Sequence, residues 1–497
     1  MTVSRSTDSA RAREPRKAVR PTGRLRPAVF HLADLVPLST SSVAPAFSIA
    51  AAYGVMVSFA GPQAIMSVIV AFPLFLFSAL IFRQLNIHFP HAGASFFWGT
   101  SVIGRRYGGF QAWVVTLAYF LSLPPILLPA GEYTLQLASS LGWVPPSVVG
   151  NLEWEAVMGI GWALVAAVPL LLGAKPTARL TEAFFGIEIA ILAIFLGIGL
   201  SVLPGHVINP IRPSWFFSTA INPLSFSLAL VAVATILDGW EIDSYASEES
   251  QHPRRWPGTS GVYGLVVVFA LYMVMMPLIT METPLPALAS SADPLATWVG
   301  VVMPSAGWAI DVAVIASTAS SLWLTAFILS RAWYSMGRSG LLPRGFSRVH
   351  RTLHSPWVAI AAITGAEIAV QLLELTSSSV FAFFSLVLTA AGVFLLLEFA
   401  LNGITATVHF RRAHRPMGLE PPSPHRHLLL VVLGPITAAG MLVIVAVGLV
   451  TNPYLAVIAG VLLVPSVYFL WRARRLASAQ LLYSPLAEGE ESLSQHS

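Results

Sequence analysis

An all-α polytopic membrane protein is the fold class this sequence predicts, and three observations carry it. Of 497 residues, 56% are apolar and 10% charged, with a mean hydropathy of +0.73, a balance outside the range of soluble globular domains. The apolar residues lie in long continuous runs rather than in alternation, which selects spanning helices over closed strands. Basic residues are confined to alternate loops, as the topology of a multi-pass protein demands.

The first half predicts helices at approximately 36–60, 62–82, 107–137, 154–174, 180–203 and 220–248. The second half predicts six more, at about 259–281, 306–336, 356–373, 378–406, 428–450 and 453–472. Most reach the roughly 20 residues needed to cross a bilayer, so the expected number of spans is twelve. With the amino end placed in the cytoplasm, all of the 28 Lys and Arg residues except Arg212 fall on the inner side. That asymmetry predicts an even number of spans with both termini cytoplasmic, and the expected location is a cell membrane, a bacterial inner membrane in this reading. Trp143, Trp154, Trp215, Trp308 and Trp357 fall near span ends, as an interfacial aromatic belt requires.

Outside the spans little remains. Residues 1–34 form a polar, basic arm without the short apolar core and small-residue cleavage site of a removed signal. Residues 35–475 are the membrane domain, and 476–497 a polar tail. The loop Thr283 to Pro304, rich in Pro, Ala and Ser, and the loop Arg411 to His427 are expected to be irregular. The absence of cysteine means that the fold uses neither disulfides nor cysteine metal sites.

Two interruptions carry the chemistry. The apolar run from Ser225 to Leu237 meets Asp238, Gly239 and Glu241 near mid-membrane depth. A carboxylate there costs about 2.5–3.5 kcal/mol on insertion scales, so both demand a partner or a water-filled cavity. Gly239 lets the backbone leave helical geometry, freeing amides and carbonyls that something must satisfy. In the first span, Ser39-Thr40-Ser41-Ser42-Val43-Ala44-Pro45 groups hydroxyls and small residues before a proline, which kinks or opens a helix. Broken-helix ends hold a carboxylate at free amides and an ammonium at free carbonyls. A proline kink packed against small residues is the plainer reading of the same stretch.

The runs SSVAPAFSIAAAYGVM, FPHAGASFFW, GWEIDSYASEESQHPRRWPG and SRAWYSMGRSGLLPRGFSRVH, in that order over residues 28–475, resemble the amino acid, polyamine and organocation permease superfamily. The resemblance implies two five-helix repeats of inverted topology, here 35–203 and 216–406, with helices one and six broken around the substrate. Helices eleven and twelve, 428–472, follow them. It further implies that Gly239-Trp240-Glu241 matches a Gly-aromatic-Glu element, with Trp240 covering substrate and Glu241 shaping the gate. Glu248, Glu249, Arg254 and Arg255 match an acidic pair and a Pro-Arg element, expected to form an inner charge network. Asp238 and Asp243 add charge beyond the family pattern; they suit a cationic substrate, or serve water, internal hydrogen bonds or proton uptake.

On this basis the expected activity is secondary transport of an amino acid or related organic amine. Ser41, Ser42, Val43, Ala44 and Pro45 would frame the carboxylate side, and Asp238, Gly239, Trp240 and Glu241 the amine side. A polyamine or organic-cation carrier or exchanger is the same architecture with a different charge balance, and a transport-inactive sensor or membrane enzyme is the alternative of another class. No cofactor is expected, and the coupling ion is H+ or Na+. Some proton-coupled relatives carry a lysine in helix five, but 180–203 has none, and no histidine is expected within a span. A relay would therefore use buried carboxylates, with Glu188 and Glu241 leading. Glu132, Asp311, Glu367 and Glu398 also fall inside proposed spans. The sequence has no phosphate-cradling loop, metal framework or hydrolase spacing, so an enzyme is not expected. The basic arm suits anionic lipid better than nucleic acid, and nothing fixes an oligomeric state.

Overall fold

The computed structural model describes residues 24–486 except 218–221, 292, 377–379 and 413–423. Apart from one isolated bridge between Phe30 and Ser250, the described residues form helices and connecting turns. The helices are α1 (Leu32–Val43), α2 (Tyr53–Ala60), α3 (Ala64–His88), α4 (Ala94–Val102), α5 (Arg105–Ser122), α6 (Pro124–Ser140), α7 (Leu152–Leu172), α8 (Ala174–Val202) and α9 (Pro223–Ile236). They continue with α10 (Ile242–Tyr245), α11 (Thr259–Glu282), α12 (Leu285–Ser290), α13 (Pro294–Val302), α14 (Gly307–Ser339), α15 (Trp357–Glu374), α16 (Val380–Arg412), α17 (Pro424–Thr451), α18 (Pro453–Leu463) and α19 (Ser466–Arg475). Nine stretches among the described residues are long and apolar enough to cross a membrane, the first running from Leu32 to His88 through its interruption.

Local chemistry explains the ends. The His31 amide donates to Asp34 Oδ2 at 2.8 Å, an acid in the first turn that also suits the positive end of α1. Asn151 and Asn222 cap α7 and α9 by accepting from amides two and three residues on. Proline occupies the opening of α6, α9, α13 and α18, where its missing donor costs nothing. α14 is the most deeply enclosed long helix; it packs against α5, α6, α7 and α8, and α1 packs against both α11 and α14.

Several expectations are corrected. The helix expected at 220–248 ends at Ile236, because Asp238 and Gly239 interrupt it. The loop Thr283 to Pro304 contains α12 and α13, which proline starts and the Asp293 cap organise. The twelfth expected span is divided around Pro465 into α18 and α19. His88 and His409, expected in loops, lie in the last turns of α3 and α16, because those helices run further than their apolar cores. Trp143, Trp154, Trp308 and Trp357 are exposed, as belt residues must be, whereas Trp215 is buried.

The end of the molecule that carries the Arg-rich loops, called the basic end below, is also tied to the segment preceding α1. Val29 and Phe30 amides donate to the Glu249 carbonyl, and Gln251 donates to Phe30. On the same side, Lys175 at the start of α8 pairs with Asp34 at 2.8 Å. Elsewhere small residues set the closest crossings: a Cβ on Gly403 of α16 would lie 2.8 Å from the Gly434 carbonyl oxygen of α17. Gly403→Leu is expected to force these helices apart at a cost of about 1–3 kcal/mol. Thermal unfolding of the detergent-purified protein should read that as a lower midpoint, and an unchanged midpoint would contradict the crossing.

Candidate functional site

The interruption of the first membrane-crossing stretch begins at Ala44, which adopts φ +56° and ψ +68°. A left-handed alanine is strained, and the next residue, Pro45, has no amide to offer. Every amide around the interruption is nonetheless engaged. Ala44 donates to Ser41 O at 3.1 Å and Ser48 to Ala44 O at 2.9 Å. Ala46 donates to Glu188 Oε1 on α8 at 2.9 Å, and Phe47 to Ser317 Oγ on α14 at 3.2 Å. Ser317 itself donates to Glu188 Oε1 at 2.7 Å, so one buried carboxylate braces the break from two sides. The other oxygen of Glu188 is buried without a partner among the described residues. Beyond the break, Ser48–Ala52 form a widened π turn, a distortion that recurs at functional sites.

The second interruption lies directly against the first. Between α9 and α10 the backbone leaves helical geometry at Leu237–Glu241, with Gly239 at φ +98°. A Cβ on Gly239 would lie 2.7 Å from the Ser42 carbonyl oxygen and 2.9 Å from Ser42 Oγ, so only glycine permits the approach. Ser321 Oγ of α14 donates to the same Ser42 carbonyl at 2.9 Å, and Ser41 Oγ to Ser320 Oγ at 2.8 Å. The run Ser317 to Thr325 was the available signal for this wall, since five hydroxyls in nine residues are unusual on a spanning helix.

Between the two breaks lies a small cavity of about 20 Å³ for water-sized occupants, less than an amino acid needs. Its polar lining consists of Ser42, Ser122, Thr235, Ser321, Thr325 and the half-buried Asp238, and its apolar wall of Val43, Phe47, Pro125, Ile126 and Leu388. Of the residues expected at the site, the structure therefore places Ser42, Val43 and Asp238 on the cavity. Ser41, Ala44, Pro45 and Gly239 shape the breaks beside it.

Trp240 and Glu241 lie behind the cavity. Trp240 is fully buried, donates to Leu237 O at 2.8 Å, and packs edge-on to Phe82 and stacked with Phe399. Those two rings and the indole form one aromatic cluster beside the second break. Glu241 accepts from the Gly239 amide at 2.9 Å and from Tyr119 of α5 at 3.0 Å. Tyr119 also lies 3.3 Å from Glu398 Oε1 on α16, which takes bonds from Ser95 at 2.7 Å and Tyr245 at 3.0 Å. A single hydroxyl hydrogen thus joins two buried carboxyl groups, an arrangement the sequence spacing of Tyr119, Glu241 and Glu398 could not reveal. Asp243 is occupied structurally, accepting from Ser260 Oγ and the amides of Gly258 and Gly261 at the start of α11.

At the basic end, the acidic pair finds other partners than the expected ones. Glu248 pairs with Arg338 at 2.6 Å and Glu249 with Arg331 at 3.0 Å, both arginines lying on α14. Arg254 donates to the carbonyls of Ile87 and His88, and Arg255 is exposed. About two turns of helix separate Arg331 from Arg338 and bring them to one face, a register that the Pro-Arg element did not suggest. Burial alone would raise the Glu248 carboxyl, but the Arg338 guanidinium holds it down at about 2.

The sequence model of the amino acid permease family matches residues 30–470. The chain belongs to the amino acid permease family. Similar curated proteins include a branched-chain amino acid permease of Lactococcus lactis subsp. cremoris, 23% identical over 309 residues, which are 60% of this chain and 65% of that one. A methylthioribose transporter of Bacillus subtilis is 25% identical, over 60% of this chain and 64% of the relative. The cationic amino acid transporter 4 of Mus musculus is 23% identical, over 73% and 57%. The matches thus span about two thirds or less of those relatives' own lengths. Family membership and the long apolar helices together mark a multi-pass membrane protein.

Removing one member of a fully buried ion pair leaves an uncompensated charge, so Arg331→Ala is expected to destabilise the fold by about 3–5 kcal/mol. Much of that should return in the double variant Arg331→Met with Glu249→Gln; thermal unfolding of the three proteins compares them. The Glu248 pair makes a pH prediction. Its folded value lies below the ordinary carboxyl value of about 4.3, so its contribution is complete above that value and disappears as pH falls toward 2. The stability difference between wild type and Glu248→Gln should therefore stay constant from pH 8 to 5 and shrink below pH 4.

Proposed function

We propose that this chain is a secondary transporter that moves amino acids or related organic amines across a membrane by alternating access, without ATP. The observation that carries the reading is the meeting of two interrupted helices at Gly239 and Ser42, with a polar cavity between them. Irregular backbone at membrane depth is tolerated where it lines such a cavity, and this is the construction expected of a substrate site. The names of the relatives, permeases and transporters of amino acids among them, favour the same substrate class.

The proposed topology has twelve passes. The nine long apolar stretches become twelve when Leu32–His88 counts as two and the shorter helices Pro223–Ile236 and Trp357–Leu373 are included. In this reading 35–203 and 216–406 are inverted repeats, the basic end faces the cytoplasm, and membrane lipid surrounds the rest. The pairs Glu248–Arg338, Glu249–Arg331 and Asp34–Lys175 then close the cytoplasmic side in the present conformation. Opening that side requires these pairs to separate while the cavity widens.

Coupling to H+ would use Glu188 and the Glu241–Tyr119–Glu398 group, whose carboxyl groups touch both breaks. Coupling to Na+ would use hydroxyls and carbonyls around Ser42 and Ser321. Reconstituted vesicles offered a panel of amino acids and amines decide the proposal. Saturable uptake or exchange is expected, and its absence for every organic amine would sink it. Glu241→Gln should insert and purify normally yet lose at least tenfold in uptake; wild-type uptake across pH 5–8 would remove Glu241 from the mechanism.

A further inference from the structure

The loop that joins α14 to α15 at the basic end carries charge that no acid of its own segment answers. Between Asp311 and Glu367 there is no aspartate or glutamate, while five arginines occur. Arg331 and Arg338 are taken by Glu249 and Glu248. Arg348 and Arg351 are exposed and make no ion pair among the described residues. Together with Val349, His350 and Trp357 they line an open cleft of about 550 Å³.

That loop is held in place by hydrogen bonds of its own. The His350 amide donates to the Ser355 carbonyl at 2.8 Å, and the His354 amide to the His350 carbonyl at 3.0 Å. The Leu353 amide donates to His350 Nδ1 at 3.3 Å, so Nε2 carries the ring hydrogen and adds a third donor to the two guanidinium groups of the lining. Contacts with the end of α7 fix the loop against the bundle: Ser355 Oγ donates to the Leu171 carbonyl at 2.8 Å, and a Cβ on Gly173 would lie 2.6 Å from the Leu353 carbonyl oxygen. They also bring an apolar strip alongside the cations, since Leu171, Leu172, Leu353 and Trp357 are all exposed.

Cations bordered by exposed leucines and an indole at the end of a membrane-crossing helix match the two halves of a phospholipid. Guanidinium groups take phosphate oxygens in paired hydrogen bonds, and an indole settles at headgroup depth. A soluble phosphate would engage the cations alone and leave the apolar strip in water. We infer that this cleft binds the headgroup of an anionic phospholipid. Arg348 and Arg351 hold the phosphate, His350 Nε2 donates to a headgroup oxygen, and Trp357 with the three leucines meets the glycerol and the first acyl carbons. The inference needs only that the basic end meets a bilayer face; it is independent of what the protein transports.

The test titrates the purified full-length protein with dioctanoyl phosphatidylglycerol, dioctanoyl phosphatidylcholine, glycerol 3-phosphate and inorganic phosphate, reading bound ligand by native mass spectrometry and stability by thermal unfolding. Phosphatidylglycerol should bind about tenfold or more tightly than phosphatidylcholine and than either soluble phosphate. The double variant Arg348→Gln with Arg351→Gln should erase that preference. Arg411→Gln with Arg412→Gln removes the same charge from another exposed pair at the end of α16, and should keep it. Equal losses in the two double variants, or no preference in the wild type, would reduce the effect to general surface attraction and overturn the inference. Soluble phosphate bound as tightly as phosphatidylglycerol would overturn the assignment to lipid. Should the first double variant not fold, a photoreactive phosphatidylglycerol applied to the wild type still decides: label is expected within 344–357 or 171–173, and label confined to other segments would overturn the site.

Discussion

Everything in this molecule turns on the requirement that backbone groups freed inside a membrane find partners. Two helices are interrupted at one depth, and each interruption releases amides and carbonyls where no bulk water can take them. The protein answers with carboxylates and hydroxyls from neighbouring helices: Glu188 and Ser317 for the first break, Glu241 and Ser321 for the contact between them. Buried acids that look costly one at a time thus serve as acceptors the broken backbone needs. The second oxygen of Glu188 is left buried without a partner among the described residues.

The same requirement explains why the site is narrow. Ser42 touches the position a Gly239 side chain would fill, and the aromatic cluster around Trp240 backs the second break. Packing of this density moves between discrete arrangements, so enlarging the cavity calls for displacement of whole helices. The ion pairs at the basic end are made by α14, the same helix that supplies Ser317 and Ser321 to the breaks. One helix therefore joins the cavity wall to the ion pairs of the basic end.

Much of the architecture could be read from the sequence, because spanning length and charged-loop alternation act over long windows. Asp238, Gly239 and Pro45 announced both interruptions, since each breaks a local rule that an apolar helix otherwise keeps. What escaped was every relation set by tertiary register. Nothing local distinguishes Arg331 and Arg338 from Arg254 and Arg255 as partners of the acidic pair, and Trp240 has the same composition whether it faces a ligand or Phe399. The link from Glu241 through Tyr119 to Glu398 joins residues more than a hundred positions apart. The amides of Ala46 and Phe47 appeared available until the helices that consume them were in place.

The short pairing of Phe30 with Ser250 has a mechanical consequence. It fastens the strand leading into the first helix to the chain just after Glu249, so at that face the two interrupted helices share an anchorage. Levers pinned together at one end cannot part there first. At the middle, where a left-handed alanine and Gly239 interrupt the two backbones, the hold comes instead from side chains of neighbouring helices.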